Sequence, residues 1–325
     1  MKKTLSIFCL IALLASFIAL PFFTKEITNN LTSKEYEAIL RIWHIDTFEG
    51  GTGSRASFLK NVASKFTKKN SGVLFLVSML SEDLARSKIE NGELPDLISF
   101  GTSSIDVLGN LFSQSSISVK DGGEYCGKRY LTAWCKGGYF KITKNDASYS
   151  KLIISQGANN LSTVTACLEN LTAKTVAIKE PLEAYSLFLS SNDACLLGTQ
   201  RDIVRLNSKG VSFTATPLST FNDLFQYIGV TSVSENKRFY AFSFVDFLLS
   251  ESVQKTLVNI KMLSPTLKGL YNSNSYFTAL ENVSQTYTVS PFLSKNDLIA
   301  VKDEAKGQIL SQNYNDGVLK FLKQL

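Results

Sequence analysis

The residues best suited to contact a ligand are concentrated in one short segment near the start of the chain. Residues 43–55 read Trp-His-Ile-Asp-Thr-Phe-Glu-Gly-Gly-Thr-Gly-Ser-Arg. Carboxylates accept hydrogen bonds from the hydroxyl groups of a polyol, aromatic rings cover its apolar C–H patches, and glycines let the backbone approach it closely. We therefore predict a ligand-binding loop with contacts from Trp43, Asp46, Phe48, Glu49, Gly51, Thr52, Ser54 and Arg55.

A second group of candidate contacts is spread along the rest of the chain. It combines aromatic residues that can stack on a solute with side chains that can donate or accept hydrogen bonds. Gly101 ends an apolar strand, and open parallel sheets bind ligands at this end of their strands. The group consists of Gly101, Trp134, Tyr139, Thr199, Gln200, Arg201 and Tyr227.

Structural roles compete with binding at several of these positions. The two tryptophans alternate with apolar neighbours, as core residues of strands do. Arg55 is expected near the start of a helix, where a positive charge opposes the helix dipole, so a neighbouring acid such as Glu49 could compensate it. Arg201 could form an ion pair with Asp202 at another helix start. These alternatives stay open at the level of sequence.

Catalysis finds little support in the sequence. The single histidine, His44, is expected to be a strand-end residue with satisfied hydrogen bonds, and no serine lies in a Gly-x-Ser-x-Gly motif. Asp46 and Glu49 could imitate the carboxylate pair of a glycosidase, but such pairs lie about 5–9.5 Å apart across a bond and usually come from separate strand ends. We predict no enzyme and no cofactor, and keep a secreted glycoside-acting enzyme as a remote alternative.

The cysteines show no spacing typical of metal ligands, so no metal site is predicted. Cys126 and Cys135 flank a short strand and could form a disulfide in an oxidising environment. Cys167 and Cys195 lie in apolar segments, where a cysteine usually behaves as a small buried hydrophobe.

Charge and motif patterns argue against nucleic-acid and nucleotide binding. The formal net charge is +6, and leaving out three lysines in the first 25 residues reduces it to +3. No basic patch with interleaved aromatic residues accompanies this mild charge. The glycine-rich loop lacks the Gly-Lys-Ser/Thr ending of a phosphate-binding loop, so nucleotide binding is not predicted.

The N-terminus carries an export signal. Two lysines precede residues 5–23, a run without any charged side chain. Residues 1–25 are therefore predicted to be a signal peptide or, because the run is long enough to span a bilayer, an uncleaved membrane anchor. Residues 26–35 would form a polar spacer. The remainder is expected outside the cytoplasm, secreted or anchored at the cell surface.

The hydrophobic pattern of the following segments predicts alternating strands and helices, as in a doubly wound α/β domain. Gly92 and Pro95 mark a helix exit, because glycine suits the left-handed end of a helix and proline cannot continue it. Two more helices are expected later as surface elements. The predicted elements are strand 39–45, helix 54–69, strand 73–79, helix 82–91, strand 96–101, helix 236–249 and helix 251–260.

The order of several motifs resembles extracellular solute-binding proteins of family 1, the carbohydrate-type receptors of ABC importers. The resemblance rests on Trp-x-x-Asp-x-Phe-Glu-Gly-Gly-x-Gly-Ser-Arg at 43–55 and Gly-x-x-Pro-Asp-Leu-Ile-Ser-Phe-Gly at 92–101. Segments 130–139, 194–202 and 223–229 agree with it, so that it spans most of residues 36–270. It implies a type II periplasmic-binding-protein fold, with two α/β lobes, each a mixed sheet flanked by helices, joined by hinge strands that close over a solute.

The resemblance also suggests how the chain divides. Residues 36–133 with about 224–262 would form one lobe, and about 134–223 with 263–325 the other. The chain would cross between them near 134–143, 223–230 and 262–265. The loop 43–55 would then face Thr199-Gln-Arg201 across a cleft.

These observations predict a monomeric receptor that delivers a carbohydrate or similar polar solute to the permease of an ABC transporter. The alternative is a membrane-tethered sensor or scaffold of the same fold that has lost transport. In the receptor hypothesis, Trp134→Ala or Glu49→Ala should weaken solute binding without unfolding the protein.

Overall fold

The computed structural model describes residues 36–48, 50–102, 111–117, 119, 123–144, 148–231 and 234–324. The predicted export segment, the spacer and Glu49 lie outside the described residues. The chain divides into two units, Met1–Glu37 and Ala38–Leu325. All the helices and strands of the described residues belong to the second unit.

The predicted β-α-β-α-β pattern at the start of this unit is confirmed. Strand β1 (Ala38–His44) pairs in parallel with β2 (Val73–Met79) and β3 (Leu97–Gly101). Helices α1 (Arg55–Lys69) and α2 (Glu82–Glu90) connect them. Each helix begins where a serine side chain accepts a hydrogen bond from a backbone N–H of the first turn, which satisfies one of the donors that a helix start leaves free.

Three later strands complete this first sheet. They are β4 (Gly123–Tyr125), β5 (Lys128–Lys136) and β12 (Phe225–Val230). The sheet has the order β2-β1-β3-β12-β5-β4, and β12 runs antiparallel to both of its neighbours. A strand from far along the chain therefore returns to the centre of the first sheet, which makes the sheet mixed.

The second sheet is built from the intervening part of the chain. Its strands are β6 (Tyr139–Thr143), β7 (Lys151–Ser155), β8 (Thr175–Lys179), β9 (Ala194–Thr199) and β10 (Thr214–Pro217). Their order is β10-β6-β9-β7-β8, in which β7, β8 and β9 pair in parallel and β6 pairs antiparallel with both β9 and β10. The helices that follow its parallel strands are α3 (Ser162–Leu168), α4 (Pro181–Ser190) and α5 (Gln200–Ser208).

The remaining elements pack on these two sheets. A short ribbon pairs β11 (Phe221–Asn222) with β13 (Tyr287–Thr288). The last helices are α6 (Glu235–Leu249), α7 (Glu251–Gln254), α8 (Ser275–Asn282), α9 (Lys295–Ser311) and α10 (Gly317–Gln324). The predicted helix 251–260 differs in detail, because α7 continues as a 3₁₀ helix, Lys255–Ile260, that ends at left-handed Lys261.

Each sheet buries its own hydrophobic core. In the first lobe, defined by the first sheet and its helices, Phe58 and Phe66 of α1 pack against β-strand residues and against Phe244 of α6. In the second lobe, α3 and α9 contribute to one core, and α4, α5 and α8 contribute to another. The two-lobe architecture predicted from the sequence is thus confirmed, with each sheet at the centre of its own lobe.

The chain crosses between the lobes along neighbouring segments. Lys136 and Leu263 exchange two backbone hydrogen bonds, each with an N–O distance of 2.9 Å. Gly137 N donates to Leu224 O at 2.7 Å, so three crossing segments lie side by side. Among the described helices, none combines the length and apolar character that crossing a membrane requires.

Candidate functional site

A cleft of about 430 Å³ lies between the two lobes. Its walls follow the carboxyl ends of β1 in the first lobe and of β7, β8 and β9 in the second, which is where α/β sheets place ligands. The lining residues are Asp46, Thr47, Phe48, Gly50, Gly53, Arg55, Gly157, Ala158, Asn160, Glu180, Pro181 and Arg201.

The first wall is organised by the buried side chain of Arg55, the first residue of α1. Its Nε donates to Asp46 Oδ1 at 2.8 Å, and its Nη2 donates to the carbonyl oxygen of Phe48 at 2.6 Å. The guanidinium carbon lies 4.2 Å from the centroid of the Phe48 ring. Arg55 therefore fixes the path of the loop, and Asp46 supplies the compensating charge that its place at a helix start requires.

Asp46 is also bound by His44. The distance from His44 Nε2 to Asp46 Oδ1 is 3.0 Å, and that from Nδ1 to Ser99 Oγ is 3.1 Å. Burial lowers the pKa of His44, so the imidazole is neutral. Since an ionised carboxylate can only accept, we place the single ring proton on Nε2 and let Ser99 donate to Nδ1. The prediction of a satisfied strand-end histidine is confirmed.

The electrostatics of this cluster keep Asp46 ionised. Burial acts to raise the pKa of Asp46, but the hydrogen bond from His44 and the charge of Arg55 outweigh it and hold the pKa well below its usual value. A carboxylate in this state accepts hydrogen bonds and has no proton to donate. Asp46 is therefore suited to binding a hydroxyl group and unsuited to acid catalysis.

Gly51, predicted as a ligand contact, lies against the backbone of the first lobe, whereas Gly50 and Gly53 line the cleft. Gly51 has a φ of +65°, and a Cβ there would lie 2.1 Å from the carbonyl oxygen of Ile260. Thr52 N donates to the same oxygen at 2.7 Å. The loop thus packs closely against the end of the 3₁₀ helix at the lobe crossing, which is the approach that glycine permits here.

Gly101 is required by the same loop. A Cβ at this position would lie 1.9 Å from Thr47 Oγ1. Gly101 is buried at the end of β3 and does not line the cleft, so its role in the structure is to leave room for the Thr47 side chain.

The second wall contains one of the three residues predicted from 199–201. Arg201 lines the cleft opposite the Asp46 loop. Thr199 instead caps α5, since its hydroxyl accepts from Arg201 N and its own N–H donates to Asp202 Oδ2 at 2.9 Å. Gln200 is fully buried and accepts from Gly138 N at 3.1 Å.

Asp202, the acid that follows Arg201, takes part in two further contacts at the start of α5. Its Oδ2 completes the capping box with Thr199, and its Oδ1 accepts from Arg205 Nη1 at 3.4 Å. Asp202 therefore caps the start of α5 through Oδ2 and contacts its next turn through Oδ1.

The predicted aromatic contacts lie mostly in the cores. Trp134 is fully buried, stacks on Phe58 with ring centroids 5.6 Å apart, and donates from Nε1 to Ser99 Oγ at 3.0 Å. Trp43 and Tyr227 are buried in another cluster of the first lobe. Phe48 is the predicted aromatic residue that lines the cleft in the described part of the chain.

Tyr139 forms a hydrogen bond with Asp223, which lies where the chain crosses between the lobes. It is buried, and its hydroxyl donates to Asp223 Oδ1 at 2.8 Å. Asp223 Oδ2 accepts from Leu161 N at 2.9 Å. Its carbonyl oxygen accepts from Thr102 Oγ1 of the first lobe at 3.1 Å, so Asp223 ties both lobes to the crossing strand.

Two loops of the second wall were missed by the sequence analysis. Residues 156–160 follow β7, and Glu180 with Pro181 follows β8. In the first of these loops, Asn160 Oδ1 accepts from Gly157 N at 2.9 Å, and Lys302 donates to the carbonyl oxygens of Gly157 and Ala158. Their position at the carboxyl ends of parallel strands is the signal that would have found them.

One hydrogen bond joins side chains of the two lobes at this edge. Asn159 Nδ2 donates to Glu82 Oε2 at 2.6 Å. Glu82 is the first residue of α2 and also pairs with Arg86, with a separation of 3.3 Å between Oε1 and Nη2. The two lobes are thus in direct contact at this edge.

The cysteines are all free thiols in the described residues. Cys126 is exposed, and Cys135 is fully buried and not bridged to it. Cys167 and Cys195 are buried, as predicted. Burial raises the pKa of both Cys135 and Cys195 to about 12, so neither is a nucleophile at neutral pH. No metal-binding cluster of His, Cys, Asp or Glu occurs among the described residues.

Comparison with known proteins identifies the fold. No protein-family model matches the sequence, and no curated protein matches it either. A cyclic α-maltosyl-1,6-maltose binding protein from Arthrobacter globiformis superposes with a TM-score of 0.63 at 11% identity, covering 88% of this chain and 97% of that one. The chain has the type II periplasmic-binding-protein fold.

Other proteins of this fold are similar in structure but differ in ligand. The maltose/maltodextrin-binding domain MalE from Bdellovibrio bacteriovorus, bound to maltotriose, gives a TM-score of 0.56 at 14% identity and covers 88% of this chain and 99% of that one. Iron-bound HitA from Pseudomonas aeruginosa gives 0.55 at 13% identity, with 82% and 99% covered. The type II fold therefore does not by itself select a ligand class.

Proposed function

We propose that this protein is an extracytoplasmic receptor that captures a carbohydrate or similar polar solute in the cleft and delivers it to an ABC permease. The observation that supports the proposal most directly is the composition of the cleft, which brings carboxylates, a side-chain amide, guanidinium groups and one aromatic ring to the carboxyl ends of strands from both lobes. Solute sites in α/β proteins combine a few oriented polar groups with apolar surface in this way.

Each lobe would contribute a distinct set of contacts. In the first lobe, His44 and Arg55 both bind Oδ1 of Asp46, and we assign Oδ2 to a solute hydroxyl. In the second lobe, Asn160 and Arg201 would donate hydrogen bonds across the cleft. A solute that contacts both walls stabilises the closed arrangement, because only that arrangement makes all of its contacts.

The crossing segments are the proposed hinge. We infer that residues 36–133 with about 224–262 move as one body and that about 134–223 with 263–325 move as the other. The side-by-side crossings near 136, 224 and 263 support this division, since a few residues at such positions can absorb the rotation of whole lobes.

A binding function is favoured over catalysis by the state of Asp46 and of the histidine that contacts it. Asp46 has a lowered pKa, and the neutral His44 is engaged on both ring nitrogens. An acid catalyst needs a raised pKa, so this cluster supplies an acceptor and no proton donor. A glycoside-acting enzyme would instead release new reducing ends from the solutes that bind.

A thermal-shift screen tests the proposal. The full-length chain in detergent is heated with mono-, di- and oligosaccharides, with amino acids and inorganic anions as controls. A solute at about one hundred times its dissociation constant should add about 2.7 kcal/mol and raise the melting temperature by several degrees. Arg201→Ala should abolish this response, whereas Arg205→Ala, one turn further along α5, should retain it.

Two results would count against the receptor. If no solute changes the melting temperature, a tethered sensor or scaffold of the same fold becomes the better account. If Arg201→Ala responds as strongly as the unmodified protein, the solute binds outside the cleft.

A further inference from the structure

The side chain of Arg55 is not fully used by the contacts that fix the loop. It is only 5% exposed, and it donates through Nε and Nη2. Its third nitrogen, Nη1, is buried and has no hydrogen-bond partner among the described residues. A buried charged donor without an acceptor is unfavourable, so this nitrogen indicates an acceptor that a cleft ligand would bring.

The surroundings of Arg55 make a nearby negative charge more favourable. It stands at the first position of α1, where the helix dipole is positive, and the first turn of that helix contains no acidic residue. The carboxylate of Asp46 already divides its Oδ1 between Arg55 and His44. Among the described contacts, Asp46 is the one carboxylate offered both to the guanidinium of Arg55 and to the positive end of the α1 dipole.

The opposite wall adds a second guanidinium. Arg201 lines the cleft from the start of α5. Behind the neighbouring loop, Lys302 binds the carbonyl oxygens of Gly157 and Ala158. Among the described residues, Asp46 and Glu180 are the carboxylates that line the cleft, so the described lining holds charges of both signs.

This combination of guanidinium groups and carboxylates fits one class of solute best. We propose that the cleft binds a sugar acid, a polyhydroxylated solute with one carboxylate, whose carboxylate accepts from Nη1 of Arg55 while Arg201 supplies charge from the other wall. The hydroxyl groups would donate to Asp46 and Glu180. Because two guanidinium groups face two carboxylates, a single negative charge suits the cleft better than the double charge of a phosphate ester. The inference rests on the proposed receptor function.

Matched pairs of solutes test the inference by titration calorimetry on the full-length chain. The pairs are glucose with glucuronate and galactose with galacturonate, together with their short oligomers, and glucose 6-phosphate and acetate serve as further probes. We expect a uronate to bind at least tenfold more tightly than its neutral partner, and this preference should shrink as salt is added. Acetate alone should not bind, because it lacks the hydroxyl groups.

Variants separate charge recognition from folding. Arg201→Gln should bring the uronate and its neutral partner to within about threefold of each other, whereas Arg205→Gln on the same helix should keep the preference. Arg55→Lys retains the charge but loses the planar donor set, and we expect at least a tenfold loss of uronate affinity. Arg201→Gln keeps the test valid if Arg55→Lys disturbs the loop.

The alternative results overturn the inference in distinguishable ways. Equal binding of neutral sugar and uronate would leave the receptor proposal in place and remove the sugar-acid assignment. Tighter binding of glucose 6-phosphate than of glucuronate would replace the carboxylate by a phosphate. Failure of both neutral sugars and uronates to bind would contradict the sugar-acid inference and the carbohydrate proposal together.

Discussion

At the scale of single residues, the loop after β1 is shaped by contacts that sequence patterns only partly reveal. The segment 43–55 could be predicted as a candidate binding loop from its glycines, carboxylates and rings. The partner of Arg55 could not, because two carboxylates, Asp46 and Glu49, precede it in the same loop and only the folded path of the loop brings Asp46 to 2.8 Å from Nε. Trp134 was likewise ambiguous, since core and cleft positions alternate along the same strand.

Gly101→Ala tests the packing beneath this loop. The new Cβ would overlap Thr47 Oγ1 and push the loop away from β3. We expect the free energy of unfolding to fall by about 1–3 kcal/mol and solute binding to weaken, as measured by urea denaturation and calorimetry.

A matched substitution at another glycine should raise the free energy of unfolding instead of lowering it. Gly307 lies inside α9, and a Cβ there meets no atom within 4 Å. Gly307→Ala should therefore leave binding unchanged and stabilise the protein by up to about 1 kcal/mol. Unchanged stability and binding in Gly101→Ala would show that Thr47 does not hold the loop.

Asp223 gives a prediction for pH dependence. Burial raises its pKa to about 6, and the hydrogen bonds from Tyr139 and Leu161 oppose this only in part. In the unfolded chain an aspartate titrates near pH 3.9, so between about pH 4 and 6 the folded state binds the proton more tightly. The contribution of Asp223 to the free energy of unfolding should therefore fall by roughly 2–3 kcal/mol as the pH rises through this range.

Asp223→Asn removes this titration. Urea denaturation at several pH values should show that the difference in stability between Asp223→Asn and the unmodified protein changes between about pH 4 and 6. Asp46, whose pKa is lowered, contributes stability that is lost only as the pH falls below about 4, outside this range. Parallel pH profiles for the two proteins would contradict the raised pKa of Asp223.

At the scale of elements, hydrophobic periodicity predicted the first lobe better than the second. Strands β1 to β3 and helices α1 and α2 follow their periodic segments to within one or two residues. The parts of the second wall at residues 156–160 and 180–181 were missed because a short polar loop has no sequence pattern that predicts ligand binding. Their importance follows only from the parallel order of β7, β8 and β9, which pairing between distant segments decides.

Trp134→Ala tests how β5 and α1 are held together. The sequence suggested a loss of binding without unfolding, but the buried indole packs on Phe58 and its removal leaves a cavity. We expect a loss of about 3–5 kcal/mol in the free energy of unfolding, measured by urea denaturation.

A conservative change at the same position separates packing from hydrogen bonding. Trp134→Phe keeps most of the apolar contact and loses the donor to Ser99, so it should cost markedly less than the alanine variant. If Trp134→Ala keeps full stability and loses solute binding, Trp134 contacts the solute, as the sequence predicted.

At the scale of the whole molecule, the proposed function requires the two lobes to close over the solute. The described contact between them at the rim of the cleft joins Asn159 to Glu82. Asn159→Ala removes this hydrogen bond, and Asn159→Asp places two carboxylates together. Solute affinity should fall by about 2- to 10-fold in the first variant and further in the second, with little change in stability, as read by calorimetry and denaturation.

The opposite result is equally informative. If Asn159→Asp binds solute as tightly as the unmodified protein, the hydrogen bond to Glu82 does not contribute to the bound arrangement. Closure would then depend on the crossing segments and on the solute alone.

Hydrogen exchange with and without solute tests whether the cleft closes over a solute, because it reports on both walls at once. For at least one hydroxylated solute of the screen, we predict slower exchange at residues 46–55 of the first lobe and at 156–161, 180–182 and 199–202 of the second. Protection confined to one lobe, or no change with any solute, would contradict a receptor that captures its solute by closing the cleft.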